Sequence, residues 1–297
     1  MNSIQIAAWH DIGQRDNYED ACAASTVSFP LVAGNKQVTE IVALDGAGFP
    51  GNGKTASNTG SDSLSQSILA SFAAAGSANE RHVFAPDNIL GILTSALNHA
   101  NEDVLHRIVA NPRLKGMATT AVCAIIVDGV LYVGWVGDTS CFVCNCSRVR
   151  KVTHDHSEVQ RLIDAGLINE KEAKYHPLRH TINRFLGQPA NFSPETTTCS
   201  LLDGDVVLLA TDGLTDVLAD EQIADHICEY REGRYDFREL PKRLVQHALE
   251  AGTTDNVTVL CCEYHADSTP FDRTLTGAYP AAAAEAIRNF HKELINV

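Results

Sequence analysis

Apolar positions recur at steps of three and four along two stretches of the chain, residues 55–75 and 87–110. Within them "SDSLSQSILASFAAA" and "NILGILTSALNHANEDVLHRIVA" each lay one apolar stripe along a helix. Asn111-Pro112 stops the second. The pattern then changes period in "TTAVCAIIVDGVLYVGWVGDTSCFVC", where Ala121, Cys123 and Ile125 alternate with Val122, Ala124 and Ile126. Both sets are apolar, so this strand needs a covering layer on each face. Asp128-Gly129 is a two-residue hairpin signal, and "VLYVGWVG" runs back antiparallel.

Two further apolar segments, "IQIAAWHDIG" and "EIVALDG", occupy the first 45 residues, with the polar "QRDNYEDACAAS" lying between them or opening a strand. "DGDVVLLATDG" reads as a buried strand and "DNVTVLCCEY" as a final one. "SEVQRLIDAGLI", closed by Gly166, "DEQIADHICEY" and "PKRLVQHALEAG" read as helices, and "INEKEAKYHPLRHTINRFLG" as a mobile polar connection. Long helices inserted between antiparallel strands predict an α+β sheet-on-sheet core flanked by helices, not a doubly wound parallel sheet. The Ala-rich end, 265–297, reads as a separate helical extension with Ile287, Phe290 and Leu294 on one face, expected to pack on the body or dock a partner.

Composition narrows the class. The 297 residues are 44% hydrophobic and 20% charged, the balance of a folded enzyme. No apolar run approaches the roughly 20 residues that span a bilayer, and the N-terminus lacks a basic start and a long apolar stretch, so a cytoplasmic location is expected. A formal charge of -14 argues against nucleic-acid and anionic-membrane partners, which need clustered Lys and Arg. The nine cysteines, including Cys141, Cys144 and Cys146 in "CFVCNC", lack a second pair at zinc spacing and read as reduced, mostly buried residues.

Chemistry concentrates at strand ends. "IVALDG", "YVGWVGD" and "VVLLATDG" end in Asp45, Asp138 and Asp212; Asp255 opens the last strand, and Glu19-Asp20 lies near the first. One such Asp is an ordinary turn residue. Several brought together would repel unless a hard cation neutralised them, and Mg²⁺ and Mn²⁺ take oxygen ligands of this kind. A Gly after the Asp lets its backbone approach closely enough for a carbonyl to join the shell. A rival signal overlaps the first of these: "GFPGNGKT", Gly48 to Thr55, spells a P-loop. That reading, a P-loop NTPase, requires parallel strands and leaves Asp45, Asp138, Asp255 and "RDNYED" without a role.

In order, "GQRDNYEDA", "VALDGAG", "GMATTAVCAIIVDGVLYVGWVGDTS", "THDHSEVQRLIDAGLI", "RHTINRFLG", "LLDGDVVLLATDGLTDVL" and "GTTDNVTVL" resemble successive motifs of the metal-dependent protein phosphatases, the PPM or type 2C serine/threonine family, over about residues 5–264. The resemblance implies a four-layer αββα sandwich over 1–264 that hydrolyses phosphoserine or phosphothreonine in proteins by a water bridging two Mg²⁺ or Mn²⁺ ions. It implies that Asp45 bridges both metals and Gly46 offers its carbonyl, that Asp212 and Asp255 complete one shell, and that Glu19 and Asp20 hold metal-bound waters. It implies that Arg15 binds the substrate phosphate, with a surface salt bridge to Asp16 or Glu19 as its alternative, and that Asp138 with Asp212 holds a third, weaker metal. The implied partner is a phosphorylated protein, the target of a serine/threonine kinase, chosen through a variable flap at 165–190. Some members carry a proton-donating His directly after the Asp-Gly; Ala47 stands here, and His154 and His156 of "THDHS" read as structural. A phosphatase fold without activity, acting as a binding module, is the remaining alternative.

Overall fold

The computed structural model describes residues 3–31, 34–48, 51–75 and 83–266. The alternation around Asp128-Gly129 becomes a hairpin of β6 (Ala121–Val127) and β7 (Val130–Val136), with Ala121 opposite Val136 and Val127 opposite Val130. Both turn residues have positive φ, 50° at Asp128 and 75° at Gly129. That pair of conformations gives a tight turn whose twist matches the strands it joins. β3 (Gly34–Leu44) pairs with β6 on one side and β2 (Ala21–Leu31) on the other, and β10 (Glu195–Ser200) pairs with β7, giving the order β10-β7-β6-β3-β2. A second sheet runs β1-β12-β11-β8-β9, built from β1 (Ser3–Asp11), β12 (Val257–His265), β11 (Val206–Ala210), β8 (Ser140–Asn145) and β9 (Arg148–Lys151). Every pairing in both is antiparallel. A two-residue ladder joins β4 (Gly46–Ala47) to β5 (Ala118–Thr119).

The double-sided apolar pattern of β6 and β7 is now accounted for. Val122, Ala124, Ile126, Leu131, Val133 and Trp135 face the other sheet, where Val143, Val207, Leu209 and Leu260 meet them. Cys123, Ile125, Val127 and Tyr132 face outward onto α1 (Asn52–Ala75) and α2 (Pro86–Ala110), through Leu64, Ile68, Phe72, Ile89, Leu93 and Leu97. On the opposite side of the sandwich, α6 (Asp220–Arg231) and α7 (Leu240–Glu250) cover the second sheet with Ile223, Ile227, Leu244 and Val245. The layers are therefore helix, sheet, sheet, helix. α2 shows why its pattern was readable: Pro86 and Asp87 occupy its first turn, Arg107 its last, and the Asn111 N–H reaches the Arg107 carbonyl at 3.0 Å.

Two strands escaped the pattern, and a third, β2, was marked only as one of two readings of "ACAAS". β2, β9 and β10 carry "ACAASTVSFPL", "RVRK" and "ETTTCS" and lie at sheet edges, where little apolar burial is required. The expected mobile connection after residue 166 is instead partly ordered. α3 (Glu158–Asp164) precedes it, capped by Ser157, and α4 (Glu170–Ala173) lies within it. Asn169 and Glu172 cap α4 reciprocally, which holds so short a helix although Ala173 is its one apolar residue. The first long helix begins at Asn52, three positions earlier than its periodicity suggested. His265 belongs to β12, Ala266 follows it without helical structure, and residues 267–297 of the expected C-terminal helix lie outside the described residues. Among the described residues no helix is long and apolar enough to cross a membrane.

Candidate metal and phosphate site

A cleft of about 850 Å³ opens where the carboxylate-bearing strand ends meet. Asp45, Gly46, Asp138, Asp212, Asp255 and Glu19 all line it. Of these, only Asp255 has a partner charge among the described residues, Arg15, while backbone contacts place Asp45 and strand ends place Asp138 and Asp212. Asp45 follows β3 and is locked to β5 and β6: its N–H donates to Thr120 Oγ1 at 2.9 Å, and its carbonyl accepts from the Thr120 N–H at 2.9 Å and Thr119 Oγ1 at 2.8 Å. Asp138 follows β7 after Gly137, and Asp212 opens the short helix α5 (Asp212–Thr215) directly after β11. Asp20 lies beneath, 3% exposed, accepting from Thr258 Oγ1 at 2.6 Å and Thr211 Oγ1 at 3.0 Å.

Asn256, which the sequence did not single out, ties the N-terminal acidic segment to the start of β12. Its Nδ2 donates to the carbonyls of Ile12 at 2.8 Å and Asn17 at 3.1 Å, and its Oδ1 accepts from the Glu19 N–H at 2.7 Å. The side chain of Glu19 accepts from the Gly51 N–H at 2.7 Å. Arg15, exposed at the mouth, donates to Asp255 Oδ2 at 2.6 Å, so its salt-bridge partner is neither Asp16 nor Glu19.

The residues fit a bound divalent cation on two observations. Asp138 Oδ1 and Asp212 Oδ1 are buried without a hydrogen-bond partner, which is costly for a carboxylate. The buried donors converging there are carboxylate oxygens, the kind that Mg²⁺ and Mn²⁺ take. Titration tells the same story. Burial, then repulsion from Asp212, Asp20, Asp138 and Asp255, pushes Asp45 well above the ordinary carboxyl value. Burial followed by Asp138 and Asp255 does the same to Asp212. Burial pushes Asp20 up to about 6 against its two hydroxyl donors, and burial with the Asp155 charge pushes Asp138 to about 6.

The sign of the pH effect follows. Carboxyls with raised values bind more protons folded than unfolded, so without metal their contribution to stability falls as pH rises from the ordinary value of 3.8 through about 6 and beyond. In chelator, Asp138→Asn is expected to gain stability over wild type as pH goes from about 4 to about 7. Urea unfolding midpoints measure it; a margin that stays flat with pH would refute the repulsion. Saturating Mn²⁺ should reverse the order of the two proteins.

Two further cleft residues were missed. Asp216, one helical turn after Asp212, and His180 from the segment after α4 offer donor atoms that lie within 4.8 Å of each other and of Asp212. The i, i+4 spacing of Asp212 and Asp216 in "TDGLTD" was a usable signal; nothing local marks His180. One wall of the cleft is formed by α3, α4 and the following residues, including Gln160, Lys174 and Arg179, so the wall begins before the flap expected at 165–190. His154 pairs with Asp164 at 2.9 Å outside the cleft. His156 accepts from the Gly137 N–H at 3.1 Å, lies 3.3 Å from Glu195 and stacks on Trp135, a structural role.

The P-loop reading does not survive. "NGKT", Asn52 to Thr55, is the first turn of α1 rather than a loop before it, the preceding strand has only antiparallel neighbours, and exposed Lys54 is not among the cleft's lining residues. Gly53 has a different reason to be glycine: a Cβ there would stand 2.6 Å from the backbone of Gly46.

Architecture and cleft together define a four-layer αββα sandwich that gathers its carboxylates in one acidic depression. A family model described as Protein phosphatase 2C matches residues 53–257, and the chain belongs to that family. Protein phosphatase PhpP of Streptococcus pneumoniae is 30% identical over 155 residues, 52% of this chain and 61% of that protein. Serine/threonine protein phosphatase PstP of Mycobacterium tuberculosis is 31% identical over 178 residues, 59% of this chain and 33% of that protein. The chain thus spans less than two thirds of these curated relatives. Among solved structures, the serine/threonine phosphatase Stp1 from Staphylococcus aureus superposes with a TM-score of 0.73 at 28% identity, covering 89% of this chain and 96% of that one. The catalytic domain of PstP in complex with two manganese ions gives 0.67 at 26% identity, covering 90% and 100%.

Proposed function

We propose that the chain is a metal-dependent protein phosphatase that hydrolyses phosphoserine and phosphothreonine on proteins phosphorylated by a serine/threonine kinase. The observation that carries this reading is the convergence of Asp45, Asp138, Asp212 and Asp255 on one cleft, with buried, unpartnered oxygens on two of them. Asp45, Asp212 and Asp255 with the Gly46 carbonyl would hold two Mg²⁺ or Mn²⁺ ions, Glu19 and Asp20 would support their water shell, and Asp138 with Asp212 would take a third. When bound, the cations supply a nucleophilic water at neutral pH and Lewis-acid polarisation of the phosphoryl group. Arg15 meets the phosphate at the mouth, exchanging Asp255 for phosphate oxygens that its planar fork grips bidentately. Ala47 has no proton to give, so protonation of the leaving group falls to solvent in the open cleft. A cytoplasmic location accords with the reading.

Phosphatase and ATPase assays run side by side test it. With Mn²⁺, wild type is expected to hydrolyse p-nitrophenyl phosphate and phosphothreonine peptides but not ATP. Arg15→Ala should lower kcat/KM by roughly ten- to a hundredfold, and Lys54→Ala should stay within about twofold. Manganese binding without turnover would leave only a binding module.

A further inference from the structure

Two cysteines stand apart from the rest. Cys123, Cys141, Cys144, Cys261 and Cys262 are buried in the apolar layers, whereas Cys146 is exposed and Cys228 half-buried. Cys146 occupies the turn between β8 and β9, a turn fixed by the Ser147 N–H on Asn145 Oδ1 at 3.0 Å and by Asn145 Nδ2 on Asp205 Oδ1 at 3.2 Å. Cys228 lies on α6, which packs over both strands. Its Sγ donates to the Cys146 carbonyl at 3.3 Å, which brings the two cysteines into direct contact. Residues 82 positions apart are thereby held in contact at the surface, on two separately anchored elements.

We propose that Cys146 and Cys228 form a reversible redox site that closes to an intramolecular disulfide on exposure to a peroxide. The order of events follows from their surroundings. Burial, then the neighbouring Cys146 thiol, pushes the Cys228 thiol up to about 11, so Cys228 is held protonated and the exposed Cys146 reacts first. The Cys146 thiolate attacks a peroxide oxygen; the O–O bond breaks, hydroxide leaves, and the sulfur becomes a sulfenic acid, oxidised by two electrons. Cys228 sulfur then attacks the Cys146 sulfur. The S–S bond forms, the S–O bond breaks, and the departing hydroxide takes the Cys228 proton as water. In sum two thiols and one hydrogen peroxide give one disulfide and two waters. Disulfides of this kind in reducing compartments are transient and redox-sensing.

The full chain, reduced and freed of reductant, is to be titrated with hydrogen peroxide, alkylated in denaturant and weighed. Two of the nine thiols should be lost, with a mass decrease of about 2 Da before alkylation, and peptide mapping should join Cys146 to Cys228. Dithiothreitol should restore both. Cys146→Ser and Cys228→Ser should each abolish the crosslink, and Cys199→Ser should leave its yield unchanged. Overoxidised Cys146 beside a free Cys228, a covalent dimer through Cys146, or a crosslink between other cysteines would each overturn the proposal. The readout is independent of phosphatase activity, so its failure and that of the function proposed above are distinguishable.

Discussion

Asp45→Asn and Asp212→Asn are each expected to cut Mn²⁺-dependent hydrolysis of p-nitrophenyl phosphate by at least about a thousandfold, some 4 kcal/mol of transition-state stabilisation. The substitution is nearly isosteric, so the backbone bonds that place Asp45 on Thr119 and Thr120 are untouched. What changes is charge. The cradle loses one anion and, at Asp212, an oxygen with no protein partner. The same change relieves the repulsion that raises both carboxyls, so the variants should unfold at higher temperature than wild type in chelator and gain less from added Mn²⁺. Loss of turnover with a more stable metal-free fold is a combination that a mere folding defect does not produce. Turnover within about tenfold of wild type would show that these side chains do not hold the cations.

Gly46→Ala is expected to destabilise the fold by at least about 3 kcal/mol, lowering the unfolding midpoint by roughly 5–10 °C. A Cβ at this position would stand 2.3 Å from the Gly53 carbonyl oxygen and 2.4 Å from that of Glu19. Both obstacles are backbone, from the start of α1 and from the acidic N-terminal segment, and neither can swing aside. Gly91→Ala is the control. It lies on the exposed face of α2 with nothing within 4 Å of the added carbon, so the same substitution should stabilise by about 0.5–1 kcal/mol. Thermal unfolding in chelator separates the two effects from metal binding. Equal midpoints for Gly46→Ala and wild type would mean that this three-way backbone contact relaxes freely.

Gly46 also shows how far a local pattern can be read. In the sequence it follows a candidate ligand, and its lack of a side chain was explained by the carbonyl it would offer. The structure adds a packing reason that involves Gly53 and Glu19, neither of which a linear pattern links to it. Gly53 illustrates the converse. It completes a phosphate-binding signature in the sequence, yet it is part of a helix-to-strand contact that only the fold creates.

The sandwich itself was legible because its burial is periodic. Steps of three and four in α1 and α2, double-sided apolar runs in β6, β7 and β11, and the Asp128-Gly129 turn are short-range consequences of which faces are dry. The edge strands β9 and β10 were not legible, and β2 only as one of two readings, since an edge accepts polar residues on either face. Six carboxylates could be chosen because acids at or near the ends of apolar strands are conspicuous and costly. Asn256 could not: it acts through three hydrogen bonds to a segment about 240 positions away, and one Asn beside an Asp carries no trace of them. His180 reaches the cleft only because the segment after α4 forms its wall, whereas Asp216 was within reach of a local spacing. The chain alone therefore determined the layers and the supply of negative charge, through periodicities that act over a few residues. Which oxygens are left without partners, which cations face them and which cysteines touch were decided by the tertiary structure, because these depend on distances between residues that no local spacing constrains.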